Sequence, residues 1–131
     1  MEINRDPFTH EIIAAAIAVS KFWGNGILES VYKKSLAHEL RKRGFEVVVE
    51  AIIPAVYDGI EFDVAFRADI VVNQKVIIEA KTVTATSPAH RSQLLTYMRL
   101  TGIPTGLLIN FHEMKVTDGV GRLILPGANS R

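Results

Sequence analysis

Two short apolar runs, VIIEAK at residues 76–81 and TGLLIN at residues 105–110, enclose a stretch that opens at Ser87-Pro88 and stops at Gly102 before Pro104. A Ser cap, a Pro in the first turn and a Gly past the end delimit a helix. Strand, helix, strand is the unit that joins two parallel neighbours of one sheet by a right-handed crossover. That unit restricts the rest of the chain, because every other strand must extend the same sheet. Residues 45–57 (FEVVVEAIIPAVY) are β-branched and interrupted at Pro54, which points to an edge or a bend. Asp58-Gly59 is a strong hairpin signal, and a second strand over about 61–72 turns at Asn73-Gln74 into VIIEAK. Residues 123–125 are a short last strand.

Two helices come first. Asp6 caps and Pro7 opens a helix that runs to about Trp23 and is apolar around most of its circumference. Gly24-Asn25-Gly26 breaks it. A second helix over about 28–43 stops at Gly44, with Leu28, Val31, Tyr32, Leu36 and Leu40 as its apolar stripe. Lys33, Lys34, Arg41, Lys42 and Arg43 lie largely off that stripe. The order α-α-β-β-β-α-β(-β) predicts an α/β fold, a central mixed sheet flanked by helices. Residues 1–126 read as one domain and 127–131 as a loose tail.

The bulk properties narrow the function classes. A formal charge of +1 over 131 residues makes the whole chain no magnet for polyanions, so any nucleic-acid contact must come from a local patch. No cysteine is present, which excludes disulfides and thiolate metal sites and fits a reducing compartment. The apolar stretch IIAAAIAV (12–19) lacks a basic segment before it and is too short to span a bilayer. It reads as a buried helix, with the cytoplasm as the default location and no membrane partner. The four histidines (10, 38, 90, 112) have no metal-ligand spacing, and no Gly-rich phosphate loop occurs.

The chemistry is concentrated in strand VIIEAK. Side chains at i and i+2 of a strand share a face, so Glu79 and Lys81 project together from a buried run. They either neutralise one another as an ion pair or form half of a site. Asp69, in RAD (67–69), leads into the neighbouring apolar run, and QLLTY (93–97) places Gln93 and Tyr97 on one helical face. Glu29, with Tyr32 and Lys33 following on its own helix, is a further acidic candidate, or simply the i+4 partner of Lys33. Asp69, Glu79 and the carbonyl of Ala80 are hard oxygen donors suited to Mg²⁺, with Mn²⁺ as substitute. Lys81 beside such an ion can orient or deprotonate a water and offset charge on a phosphorane. The set therefore points to metal-dependent phosphodiester hydrolysis. It carries a geometric requirement. A two-residue hairpin at Asn73-Gln74 would pair Val72 with Lys75 and set Asp69 opposite Ile78, leaving Glu79 on the wrong face. A shared site needs one more residue, as a three-residue loop or a bulge near Asp69.

GILESVY (26–32) places Gly26, Glu29 and Tyr32 in the pattern Gly-x-x-Glu-x-x-Tyr. Together with FRADIVV, VIIEAK, QLLTYMRLTG and GLLINF, in that order over residues 6–125, it resembles the family named after that motif, candidate nucleases of the PD-(D/E)XK superfamily. The resemblance implies a restriction-endonuclease-like core, with Asp69 and the Glu79/Lys81 pair as catalytic signature. It also implies Glu29 as an acidic residue supplied by an early helix. Gln93 and Tyr97 match a Gln-x-x-x-Tyr feature in which the Gln positions nucleophile or substrate. Ala68 stands where the signature has proline, and Ser20 where many relatives have histidine.

Arg91 and Arg99 are candidate contacts to a phosphate backbone, His90 faces the cleft one turn from Gln93, and Tyr32 and Tyr97 are aromatic candidates beside it. The expected function is a Mg²⁺-dependent nuclease acting on DNA, or also RNA, as a homodimer or with a targeting partner. The alternative is a catalytically silent member of the same fold that binds nucleic acid or scaffolds an assembly.

Overall fold

The computed structural model describes residues 6–127, with side chains for all of these except residues 63–65. The expected tail at 127–131 lies almost wholly outside the described residues. Helix α1 is Pro7–Trp23 and α2 is Glu29–Lys42. Strands β1 (Val47–Tyr57), β2 (Ile60–Val72) and β3 (Val76–Lys81) follow, then α3 (Pro88–Thr101), β4 (Thr105–Asn110), a short 3-10 turn at Val116–Gly119 and β5 (Val120–Ile124). The last strand thus begins earlier than residues 123–125 suggested.

The local signals act as their chemistry dictates. Asp6 accepts the Phe8 amide at 3.1 Å and the Thr9 hydroxyl at 2.6 Å, closing the start of α1. Ser87 caps α3, and Gly102 ends it in the left-handed region. Tyr57 pairs with Ile60 across Asp58-Gly59, both at positive φ, as a two-residue hairpin turn demands. Register slips between Ile53 and Ala55, so the proline at 54 sits at an irregularity on the edge strand.

All five strands form one sheet in the order β1-β2-β3-β4-β5. β1, β2 and β3 run antiparallel in succession, β3 and β4 are parallel across α3, and β5 returns antiparallel to β4. The α/β reading with a mixed sheet holds. α1 and α2 cover one face, burying Ile12, Ala16, Leu36 and Leu40 against Ile70, Ile78, Leu107 and Ile109. α3 covers the other, packing Leu94, Tyr97 and Met98 on Ile77 and Leu108. Alternation along β3 therefore sends Ile78 and Ala80 toward α1 and α2, and Glu79 and Lys81 toward the α3 face. Leu28 does not belong to the buried stripe of α2: it is the residue preceding the helix and is largely exposed.

Candidate active site

β2 and β3 pair as Val72 with Val76, Val71 with Ile77 and Ile70 with Ile78. The connection is thus Asn73-Gln74-Lys75, closed by the Lys75 amide donating to the Val72 carbonyl at 2.9 Å. Asn73 and Gln74 adopt φ of 51° and 55°. Asn73 is fixed there because it exchanges hydrogen bonds with the Glu46 backbone, at 2.7 Å through its side chain and 2.8 Å through its amide. This is the odd-length loop that a shared site requires. Continuing the register sets Asp69 across from Glu79.

At that step the backbone ladder stops and side chains take over. The Asp69 amide donates to Glu79 Oε2 at 2.9 Å, and the Ala80 amide donates to Asp69 Oδ2 at 2.9 Å. Each carboxylate thereby fills the place of a missing rung, clasped by the strand that carries the other. The Lys81 carbonyl accepts from the Phe111 amide, so the backbone of Lys81 faces β4. Since successive strand residues turn their peptide groups to opposite sides, the carbonyl of Ala80 faces β2 and this gap.

The gap has a cause on its far side. Glu50 of β1, opposite Asp69, has φ of 53°, left-handed for a residue with a side chain. Before it, Val47, Ile70 and Val72 of the β1–β2 pair pack toward α1 and α2; beyond it, Ala51, Ile53, Phe66 and Ala68 pack toward α3. The hairpin exchanges its apolar sides at Glu50 and Asp69, which turns both carboxylates out of the plain alternation. Lys33 of α2 occupies the space between them, 2.5 Å from Glu50 Oε2 and 3.3 Å from Asp69 Oδ1. Although partial burial opposes it, the hydrogen bond it donates to Glu50 and the charge of Asp69 hold the Lys33 ammonium above its ordinary pKa.

Two simple pairings are thereby overturned. Glu79 and Lys81 form no ion pair among the described residues, and Lys33 pairs with Glu50 and Asp69 rather than with Glu29. Lys33 and Glu50 were missed by sequence reasoning. Lys33 reads as one of five basic residues off the apolar stripe, and nothing in local composition announces a left-handed Glu50.

Glu79 is 3% exposed. Burial, and then the neighbouring Asp69 charge, push its carboxyl up to about 8, against the opposing pull of the Asp69 amide, Lys81 and Lys33. The same burial, with Glu79 next, raises the Tyr97 phenol above its usual range. The donor set suits a hard cation: oxygen only, two carboxylates and a backbone carbonyl, with a buried acid that a cation would restore to its charged form. Among the described residues no third His, Cys, Asp or Glu joins Asp69 and Glu79. Glu29 is therefore not gathered with them as a ligand.

The remaining candidates separate into near and far. Tyr97 is buried against Phe66 with its phenol within the field of Glu79 and Asp69, which leaves little surface for a nucleic-acid contact. Gln93 is exposed one turn earlier on the same side of α3. Arg91 lies over β5, its Nη1 3.1 Å from where a Cβ on Gly121 would stand. It lines a depression of about 290 Å³ with Thr86, Leu108, Asn110, Glu113 and Asp118, and Leu108 and Asn110 are the strand partners of Glu79 and Lys81. His90 is committed to the cap of α3, its Nδ1 accepting the Ser87 amide at 3.0 Å. Arg99 is exposed near the end of α3 and bonds Thr96. Tyr32 corrects the expectation outright. It is fully buried, stacked on Phe111 with centroids 4.7 Å apart, and its hydroxyl donates to the Gly24 carbonyl. It pins the α1–α2 turn and cannot touch nucleic acid.

A cavity of about 230 Å³ lined by Lys33, Lys34, His38, Arg41 and Glu50 flanks the carboxylates on the α2 side. A larger cavity, about 560 Å³ between α1 and α2 around Trp23 and His38, involves neither Asp69 nor Glu79. The chemistry is therefore placed by the carboxylates and not by cavity size. No helix among the described residues is long and apolar enough to cross a membrane.

No curated protein and no solved structure matches the chain. The mixed sheet with helices on both faces is nevertheless consistent with a restriction-endonuclease-like α/β fold. The model of the PD-(D/E)XK nuclease superfamily matches residues 6–123, and the chain belongs to that superfamily.

Proposed function

We propose that the chain is a divalent-metal-dependent nuclease of the GxxExxY type, hydrolysing phosphodiester bonds of DNA, or also RNA. One observation carries the reading: Asp69 and Glu79 clasp one another's strands at the point where β2 and β3 part, with the Ala80 carbonyl turned to the same gap. Asp69, Glu79 and the Ala80 carbonyl would hold Mg²⁺ or Mn²⁺. When bound, the ion supplies a Lewis acid for the phosphate and a lowered pKa for a water. Lys81, on the same face as Glu79, orients the attacking water and offsets the charge that grows on the phosphoryl oxygens. Gln93 at the mouth positions the substrate, and Tyr97 keeps water from the inner side of Glu79. Arg91 on one flank and Lys33, Lys34 and Arg41 on the other supply the local positive charge that a backbone contact needs, given a net charge of only +1.

Calorimetric titration of Mn²⁺ and Mg²⁺ into wild type and Asp69→Asn tests the metal centre without a choice of substrate. The expected result is binding in the millimolar range or tighter that Asp69→Asn removes. Binding that survives Asp69→Asn unchanged places the ion elsewhere and ends this reading of the site.

A further inference from the structure

Both oxygens of Asp69 are engaged. Oδ2 receives the Ala80 amide, which the strand holds in place, and Oδ1 receives the Lys33 ammonium at 3.3 Å. The two donors differ in kind. A strand amide cannot leave without unzipping β3, whereas an ammonium on a four-carbon stem moves by rotamer changes alone. A divalent ion held by Asp69 would share that carboxylate with the ammonium, and like charges at such short range repel one another strongly.

Lys33 also has somewhere to go. Glu50 is closer to it than Asp69 is, at 2.5 Å against 3.3 Å. The Glu50 side chain is 45% exposed, compared with 13% for Asp69, so a lysine drawn to Glu50 moves outward toward water. The left-handed backbone at Glu50 is what aims its carboxylate at this spot from the edge strand. A side chain in that conformation is strained, and no turn at this position requires it.

Resting on the metal-dependent reading above, we infer that Lys33 is a resident counter-cation that competes with the divalent ion for Asp69, and that Glu50 is the carboxylate onto which it withdraws when the ion enters. The device couples loading to substrate. A phosphodiester arriving at the α2 flank offers the ammonium a further anionic partner, so ion and nucleic acid each ease the other's entry. It also keeps Asp69 balanced in charge before either arrives. Lys33 is a positioning residue here, acting on the ion through Asp69.

The test is a Mn²⁺ titration by calorimetry at low ionic strength, where surface charge is least screened. It compares wild type, Lys33→Met, Lys33→Gln, Glu50→Gln, the Lys33→Met/Glu50→Gln pair and Lys42→Met, with thermal melts to verify folding. Removing the competitor is expected to tighten binding about tenfold in both Lys33 variants. Glu50→Gln is expected to weaken binding about threefold in wild type but to change it little on the Lys33→Met background, the non-additivity that marks two residues acting as a unit. Lys42→Met, which alters net charge equally from an exposed position at the end of α2, leaves affinity unchanged. Weaker or unaltered binding in Lys33→Met overturns the inference while the metal site stands, because a lysine that merely pins the structure would loosen the site when lost. Binding seen in Lys33→Met and not in wild type supports competition in its strongest form. Absence of binding in both removes the metal centre, and the inference with it.

Discussion

Lys81→Ala is expected to lower phosphodiester hydrolysis about a thousandfold while leaving the fold and the metal affinity nearly intact. The separation follows from what Lys81 does not do. It ends β3 partly exposed, and among the described residues its side chain makes no hydrogen bond or ion pair. Its backbone is held by the Phe111 amide, which alanine retains. Neighbouring Asn110 is secured independently, bridging the Val83 amide and carbonyl. Truncation therefore removes a charge beside Glu79 and little else. A labelled oligonucleotide cleaved in Mg²⁺, with a thermal melt of the same preparation, reads both quantities. Cleavage at the wild-type rate would exclude Lys81 from the chemistry. A lowered melting temperature of more than a few degrees would show instead that the ammonium is structural.

Glu79→Gln is expected to stabilise the metal-free protein above pH 8 by on the order of 3 kcal/mol and to change it little at pH 5. The sign follows from linkage. The folded-state carboxyl titrates at about 8, above its ordinary value of 4.5. Between those values the folded chain holds a proton that the unfolded chain has released, so wild-type stability falls as pH rises through the window. Below 4.5 the group is protonated in both states and has no effect. Glutamine is neutral throughout and still offers an oxygen to the Asp69 amide. Thermal or urea melts of both proteins in chelator, at pH 5 and pH 9, measure the gap. Adding Mg²⁺ should then narrow it from the wild-type side alone, since only the carboxylate gains from the ion. Equal pH profiles for the two proteins would mean that Glu79 is ionised in the folded state at neutral pH. A stability sacrificed at one acidic position for chemistry is the usual mark of a functional site.

The parts of this structure that are local in origin were legible in the chain. Asp6, Ser87, Gly44 and Gly102 act as caps or stops because capping is decided within a few residues, and Asp58-Gly59 forms its turn for the same reason. Loop parity at residues 73–75 was legible through a chemical demand: two carboxylates meant for one ion cannot lie on opposite faces of a sheet. Illegible features came from long-range geometry. Tyr32 belongs to the apolar stripe of α2 as its spacing indicates, but only the fold shows that its ring is stacked inside on Phe111 and its hydroxyl is spent on Gly24, leaving nothing for a nucleic-acid contact. Glu29 lies on the same helix as Lys33, yet no described contact brings it to Asp69 and Glu79. The exchange of apolar faces at Glu50 depends on a backbone dihedral that its side chain disfavours, so no propensity points to it.

The three-residue loop between β2 and β3 has a consequence for how such a chain can change over generations. Strand side chains alternate, so the loop acts as a parity counter for everything downstream in β3. Losing or gaining a single codon there would exchange the roles of the two faces, sending Ile78 and Ala80 to the α3 side and turning Glu79 and Lys81 into the apolar layer beneath α1 and α2. Changes of two codons would preserve parity and leave the carboxylates facing their gap. A surface loop remote from any reacting atom, ordinarily the most forgiving place for insertions and deletions, is here bound to an arithmetic rule. Its length constrains the site as strictly as the identity of a ligand does.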